Sequence, residues 1–106
     1  MRISLILVFC VWSTASFAAP RYDVEKWCEA VSQAGGGASS MIYNGCIDQE
    51  QTSYNRVKPN WDQLPSKVRD WCDQVALAGG AGSYSILEGC IKQELDASNI
   101  KQNFEY

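Results

Sequence analysis

An internal repeat constrains this chain more than any other feature of its sequence. Residues 24–55 and 68–99 are identical at 15 of 32 positions, without a gap, at a spacing of 44. Chance would give about two identities, so the two segments are copies of one structural unit. In the first copy the shared stretches are Trp27-Cys28, Ala34–Gly36, Gly45–Ile47 and Gln49-Glu50.

Each copy has the pattern of two helices joined by a short turn. Apolar residues of the first copy recur at helical spacings of three and four: Val24, Trp27, Cys28, Val31 and Ala34. Gly35 is then the expected left-handed residue after the first helix, and Ser39 the expected N-cap of the second. Gly79 and Ser83 hold the same places in the second copy. The pattern predicts an all-α domain of two tandem antiparallel hairpins, covering about 22–55 and 64–99 within residues 19–106.

The cysteine positions predict one disulfide inside each hairpin. Cys28 and Cys46 are equidistant from the middle of the first turn, as are Cys72 and Cys90 from the middle of the second. Residues equidistant from the turn lie side by side in an antiparallel hairpin, where a disulfide needs Cα atoms roughly 4.4–6.8 Å apart. We therefore expect Cys28–Cys46 and Cys72–Cys90.

Other local features complete the predicted outline. Gly45 and Gly89 adjoin the second cysteine of each pair, and we expect their missing side chains to permit the close approach of the helices. The polar segment Tyr54–Pro59 is interpreted as the connector, and Ser66 as an N-cap. The polar tail after residue 98 is expected to fray.

The first 18 residues are typical of a signal peptide. Arg2 precedes an almost wholly apolar run, and small residues Ser16 and Ala18 predict cleavage before Ala19. The apolar run is shorter than the roughly 20 residues of a spanning helix, so no membrane span is expected after cleavage. Four cysteines then remain, an even number typical of disulfides in exported chains, which predicts a periplasmic or secreted protein.

The charge of the mature chain excludes one class of partner. Loss of Arg2 leaves eight basic against twelve acidic residues, a net charge of −4. An acidic chain without a basic stripe repels phosphate backbones, so we expect no nucleic acid among its partners.

The second copy also resembles a known group. The residues that carry this resemblance are Trp61, Leu64, Pro65, Val68, Cys72, Gly80, Ser83, Tyr84, Leu87, Cys90 and Glu94. Their spacing is similar to that of small exported proteobacterial proteins of unknown function. The resemblance implies a Gram-negative envelope setting and brings no catalytic residues with it.

The residues for common catalytic chemistry are missing from the sequence. The chain contains no histidine, which removes histidine-based triads, dyads and metal sites. Glu50 and Glu94 occupy equivalent positions and could form a carboxylate pair for acid–base chemistry. The alternative interpretation, which we favour, is that each caps or solvates its helix. We therefore predict no enzymatic activity, no cofactor and no metal site.

Aromatic residues are the remaining candidates for function. We expect Trp27 and Trp71 to cover the disulfides, and Trp61, Tyr84 and Tyr43 are candidate anchors for a partner, although core packing is favoured for Trp61. The leading hypothesis is a binding or structural module that contacts a protein or another component of the bacterial cell envelope. The alternative is a small proteinaceous inhibitor of a hydrolase.

Overall fold

The computed structural model describes residues 18–100 and 102–106, so almost all of the predicted signal peptide lies outside the described residues. The described part contains four α-helices, one 3₁₀ helix and no strand. The elements are α1 (Val24–Gln33), α2 (Ser40–Val57), the 3₁₀ helix (Lys58–Gln63), α3 (Ser66–Leu77) and α4 (Tyr84–Ser98). Helix α1 packs on α2 and α3 packs on α4, so the predicted tandem hairpins are confirmed.

Both predicted disulfides are present. Cys28 joins Cys46 with a Cα–Cα distance of 5.6 Å, and Cys72 joins Cys90 with a Cα–Cα distance of 5.5 Å. Cys28 and Cys72 are fully buried. Each bridge therefore links two adjacent helices close to the axis of its own hairpin, as the symmetry of the cysteines about the turns predicted.

The glycines beside the bridges do not have the predicted role. A Cβ atom built on Gly45 or Gly89 would meet no atom within 4 Å, and both residues are exposed. The prediction that they permit close helix approach is wrong, because both face away from the partner helix. The turn glycine was also misplaced by one residue, since Gly36 has φ of +89° whereas Gly35 does not have a positive φ.

The serine caps of the second helices are confirmed. The hydroxyl of Ser39 accepts the backbone N–H of Ile42 at 3.2 Å, and that of Ser83 accepts the backbone N–H of Ile86 at 3.3 Å. The prediction for Ser66 is wrong, because Pro65 holds the N-cap position of α3 and its carbonyl accepts the backbone N–H of Val68 at 3.0 Å. A serine hydroxyl is not needed for that bond.

The segment between the hairpins is helical rather than an irregular connector. Helix α2 continues through Tyr54 to Val57. Pro59 lies in the first turn of the 3₁₀ helix, a position at which proline is tolerated because it needs no backbone N–H donor there. Val57 and Trp61 are buried in the core, each with 6% exposure. Burial of these side chains against the second hairpin explains why the helix extends past the predicted boundary.

The hydrophobic core belongs mainly to the second hairpin. Its buried members from α3 and α4 are Cys72, Ala76, Tyr84, Leu87 and Ile91. Helix α2 packs against α4 and places Val57 in the same cluster. Helix α1 contributes only Cys28 and Ser32 as buried residues. The first hairpin therefore lies on the second through α2, and this packing creates the surfaces described next.

Candidate binding surfaces

A concavity with a volume of about 660 Å³ lies between α2 and α4 beside the 3₁₀ helix. Its apolar lining consists of Val57, Leu64, Ile91 and Leu95. Val57 and Ile91 are buried core residues, whereas Leu64 and Leu95 are half-buried. We call this concavity the α2–α4 groove. Leu64 and Leu95 therefore provide most of the accessible part of its apolar lining.

Polar groups cross the α2–α4 groove in a connected set. The hydroxyl of Ser53, which is buried, donates to Glu88 Oε1 at 3.3 Å and lies 3.3 Å from the Ser85 hydroxyl. Arg56 Nη1 lies 3.6 Å from the same Glu88 oxygen. Lys92 also lines the groove. These contacts hold α2 to α4 and provide charged groups beside the apolar lining.

A second concavity surrounds three tyrosines and has a volume of about 350 Å³. The ring centroid of Tyr84 lies 4.6 Å from that of Tyr22 and 4.8 Å from that of Tyr54. The Tyr84 hydroxyl accepts the backbone N–H of Tyr22 at 3.0 Å and donates to the Pro20 carbonyl at 2.7 Å. The tyrosine cluster (Tyr22, Tyr54, Tyr84) thus fastens the segment before α1 to α2 and α4.

Burial and hydrogen bonding also affect the ionisation of Tyr22 and Tyr84. The Tyr22 hydroxyl donates to Asp73 Oδ1 at 2.6 Å. Burial, followed by this hydrogen bond, raises the pKa of Tyr22 well above its ordinary value. Burial likewise raises the pKa of Tyr84, although the backbone N–H of Tyr22 opposes the shift. Both phenols therefore remain neutral across the physiological range.

The two equivalent glutamates lie in different environments. Glu50 is 3% exposed, and its carboxylate accepts the Ser83 hydroxyl at 2.7 Å and the backbone N–H of Tyr84 at 2.5 Å. Glu94 is exposed and lines a shallow surface pocket with Lys67 and Trp71. Both carboxylate oxygens of Glu50 are thus engaged at the N-terminus of α4, a structural role in which negative charge is favoured.

The aromatic residues proposed from the sequence are distributed over the molecule. Trp61 and Tyr84 are buried, with 6% and 5% exposure, and they offer little surface to a partner. Tyr43 is half-buried in a separate surface pocket beside Glu29. Trp27 packs on Gly79, whereas its repeat equivalent Trp71 is 54% exposed. The structure does not bring these residues into one site.

The α2–α4 groove was not predicted from the sequence, because several of its residues differ between the copies. Leu95 corresponds to Gln51, and Ser53 corresponds to Ala97. Identities between the repeats therefore do not mark these positions. A detectable signal was the apolar spacing of Leu87, Ile91 and Leu95, which marks one face of α4.

Comparisons with known proteins give no family. No protein-family model, curated protein or solved structure matches the chain. Within residues 18–100 and 102–106, no three side chains of types that bind metals converge, and no helix has both the length and the apolar character needed to cross a membrane.

Proposed function

We propose that this chain is an exported, disulfide-bonded helical module of the bacterial cell envelope. It acts by binding a partner, and the α2–α4 groove is its binding surface. The groove carries the proposal, because it combines a volume of about 660 Å³ with the half-buried apolar side chains of Leu64 and Leu95 beside charged groups. Apolar pockets with a few placed polar groups are the usual form of binding sites.

The two disulfides support the exported setting. Disulfides persist in oxidising compartments such as the periplasm and the extracellular space, and they are rare in the cytosol. The signal-peptide pattern of residues 1–18 and the resemblance to small exported proteobacterial proteins agree with this compartment. Protein sequencing of the periplasmic form should find Ala19 at the N-terminus. Recovery of the soluble protein with Met1 intact would contradict export.

Two exposed glycines allow a direct test of binding. Gly89 lines the groove and has no atom within 4 Å of a built Cβ, so Gly89→Arg fills the groove without disturbing the core. Gly45, its repeat equivalent, is equally open and lies outside the groove residues, which makes Gly45→Arg the matched control.

The experiment is capture from envelope extract by the immobilised protein, followed by cross-linking to map the contact. Wild type and Gly45→Arg should retain a partner that Gly89→Arg loses, with cross-links to Lys92. A wall or membrane component among the retained partners would indicate an envelope module, whereas a single stoichiometric hydrolase would indicate the inhibitor. Capture that is unaffected by Gly89→Arg would contradict the groove as the binding surface.

A further inference from the structure

The interface between the two repeats joins different parts of the repeated unit. Trp27 of the first repeat packs on Gly79 in the turn of the second, where a built Cβ atom would lie 2.9 Å from the indole ring. Glu50 of the first repeat accepts the Ser83 hydroxyl of the second at 2.7 Å. In both contacts the paired residues hold positions that are not equivalent within their repeats. The first repeat therefore contributes one surface to the interface, and the second repeat contributes another.

The reciprocal contacts do not form within the described residues. The residues equivalent to the tryptophan and the turn glycine are Trp71, which is 54% exposed, and Gly35, where a built Cβ atom would meet nothing within 4 Å. Those equivalent to the glutamate and the serine are Glu94, which is exposed, and Ser39, which is half-buried. A two-fold relation between the repeats would pair these residues with each other. The relation is therefore head to tail, and it leaves one example of each surface uncovered.

The two uncovered surfaces lie on different hairpins. Trp71 and Glu94 line one shallow pocket on the second hairpin, and we call them the Trp71 end. Ser39 and Ser40 line another pocket, on the first hairpin. Gly35 belongs to the turn that precedes them between α1 and α2, and we call these three residues the Gly35 end.

We propose that the Trp71 end of one molecule packs on the Gly35 end of a second copy, and so continues the interface between the repeats from one chain to the next. The indole of Trp71 then covers Gly35 as the indole of Trp27 covers Gly79. This inference goes beyond the proposed function, because it concerns the ends of the two-repeat array and not the α2–α4 groove.

Hydrogen bonding and charge favour the same pairing. The Ser39 hydroxyl and the Ser40 backbone N–H begin α2, and both can donate to Glu94 of the neighbouring copy, as their equivalents donate to Glu50 within the chain. A carboxylate is favoured at a helix N-terminus. The charged residues beside the two ends are opposite in sign, Lys67 at the Trp71 end and Glu29 at the Gly35 end.

A polar contact of the internal interface has an apolar counterpart at the ends. The hydroxyls of Ser53 and Ser85 lie 3.3 Å apart between α2 and α4. Their equivalents are Ala97, which is exposed, and Met41, which is 82% exposed. The same pairing between two copies would bury the Met41 side chain against Ala97 and remove apolar surface from water.

The tyrosine cluster is the part of the internal interface that the ends lack. Serines hold the positions equivalent to its three tyrosines: Ser66, Ser98 and Ser40. The contact between copies therefore buries less aromatic surface than the contact between repeats. We expect an association that is reversible and that requires concentrated protein.

The test is sedimentation of the protein purified from the periplasm over a wide range of concentrations. Wild type should grow beyond a dimer as its concentration rises, because a head-to-tail contact leaves a free end on each added molecule. Trp71→Asp and Gly35→Arg should each weaken association at least tenfold, since tryptophans are frequent hot spots of interfaces. Phe104→Ser is the control, because it removes an exposed ring outside the repeats. Circular dichroism should show the same helix content for all variants.

A mixture of the two end variants tests the direction of the contact. Trp71→Asp retains the Gly35 end and Gly35→Arg retains the Trp71 end, so the mixture should form a one-to-one dimer that does not grow. Three outcomes would each overturn the inference: wild type that is monomeric up to about 1 mM, the effective concentration that a short linker provides, wild type that stops at a dimer, and a mixture that remains monomeric. Capture of an envelope partner is a separate result, because neither substituted residue lines the α2–α4 groove.

Discussion

The carboxylate of Glu50, near the middle of α2, accepts the hydroxyl of Ser83 at 2.7 Å and thereby supports the N-cap residue of α4. The other Glu50 oxygen accepts the backbone N–H of Tyr84. One buried side chain of the first hairpin thus satisfies the first donors of the last helix in the second hairpin. This contact lies at the interface of the two repeats and links their folding.

Loss of the Glu50 carboxylate should destabilise the whole protein. Glu50→Ala leaves Ser83 and the Tyr84 amide without their buried acceptor and should lower the free energy of unfolding by about 2–4 kcal/mol. Glu94→Ala is the matched control, because Glu94 is the exposed repeat equivalent and should change stability by less than about 0.5 kcal/mol. Urea denaturation measures both. Equal effects would show that the capping contact does not contribute to stability.

Removal of either disulfide should cost about 2–5 kcal/mol through the greater entropy of the unfolded chain. The two bridges close loops of equal length, so Cys28→Ser/Cys46→Ser and Cys72→Ser/Cys90→Ser should have similar effects on the unfolded state. Thermal unfolding followed by circular dichroism checks this expectation. A midpoint within a degree or two of wild type for either double variant would contradict a stabilising role for that bridge.

Two glycines of the second hairpin should respond in opposite ways to alanine. Gly82 has φ of +92°, and a Cβ atom there would lie 2.5 Å from the Tyr22 ring, so Gly82→Ala should destabilise by at least about 2 kcal/mol. Gly89→Ala meets open space within α4 and should stabilise by up to about 1 kcal/mol. Chemical denaturation of the two variants measures both changes in the free energy of unfolding. Destabilisation by Gly89→Ala would restore the predicted role in close helix approach.

The stability of the protein should fall as the pH rises above about 10, the ordinary pKa of tyrosine. Burial and the hydrogen bond to Asp73 raise the pKa of Tyr22 in the folded state. As the pH rises, the unfolded chain therefore loses its phenolic proton first, and this loss stabilises the unfolded state relative to the folded state. The contribution is complete below pH 10 and is lost through the alkaline range.

Ultraviolet absorbance of phenolate, together with thermal midpoints at several pH values, tests this linkage. Tyr22→Phe should remove one late-titrating phenol and reduce the alkaline decline, and Tyr106→Phe, which alters a fully exposed ring, is the control. A Tyr22 phenol that titrates at its ordinary pKa in the folded protein would contradict the prediction.

The hairpins and their disulfides could be predicted from the sequence because they depend on contacts close together along the chain. Cys28 and Cys46 are 18 residues apart around one turn, and helical periodicity fixes which residues face each other. The caps Ser39 and Ser83 are equally local, since each bonds an amide three residues ahead. The N-cap of α3 was predicted one residue too late, at Ser66, because the neighbouring Pro65 can occupy that position as well.

Only the tertiary structure determined how one hairpin lies on the other. Glu50 and Glu94 are identical in sequence position within their repeats, yet one is buried beneath α4 and the other faces solvent. The α2–α4 groove and the exposure of Gly89 depend on the same packing. No pattern within a repeat contains this information, because it depends on how the two hairpins pack, and here equivalent residues such as Glu50 and Glu94 meet different neighbours.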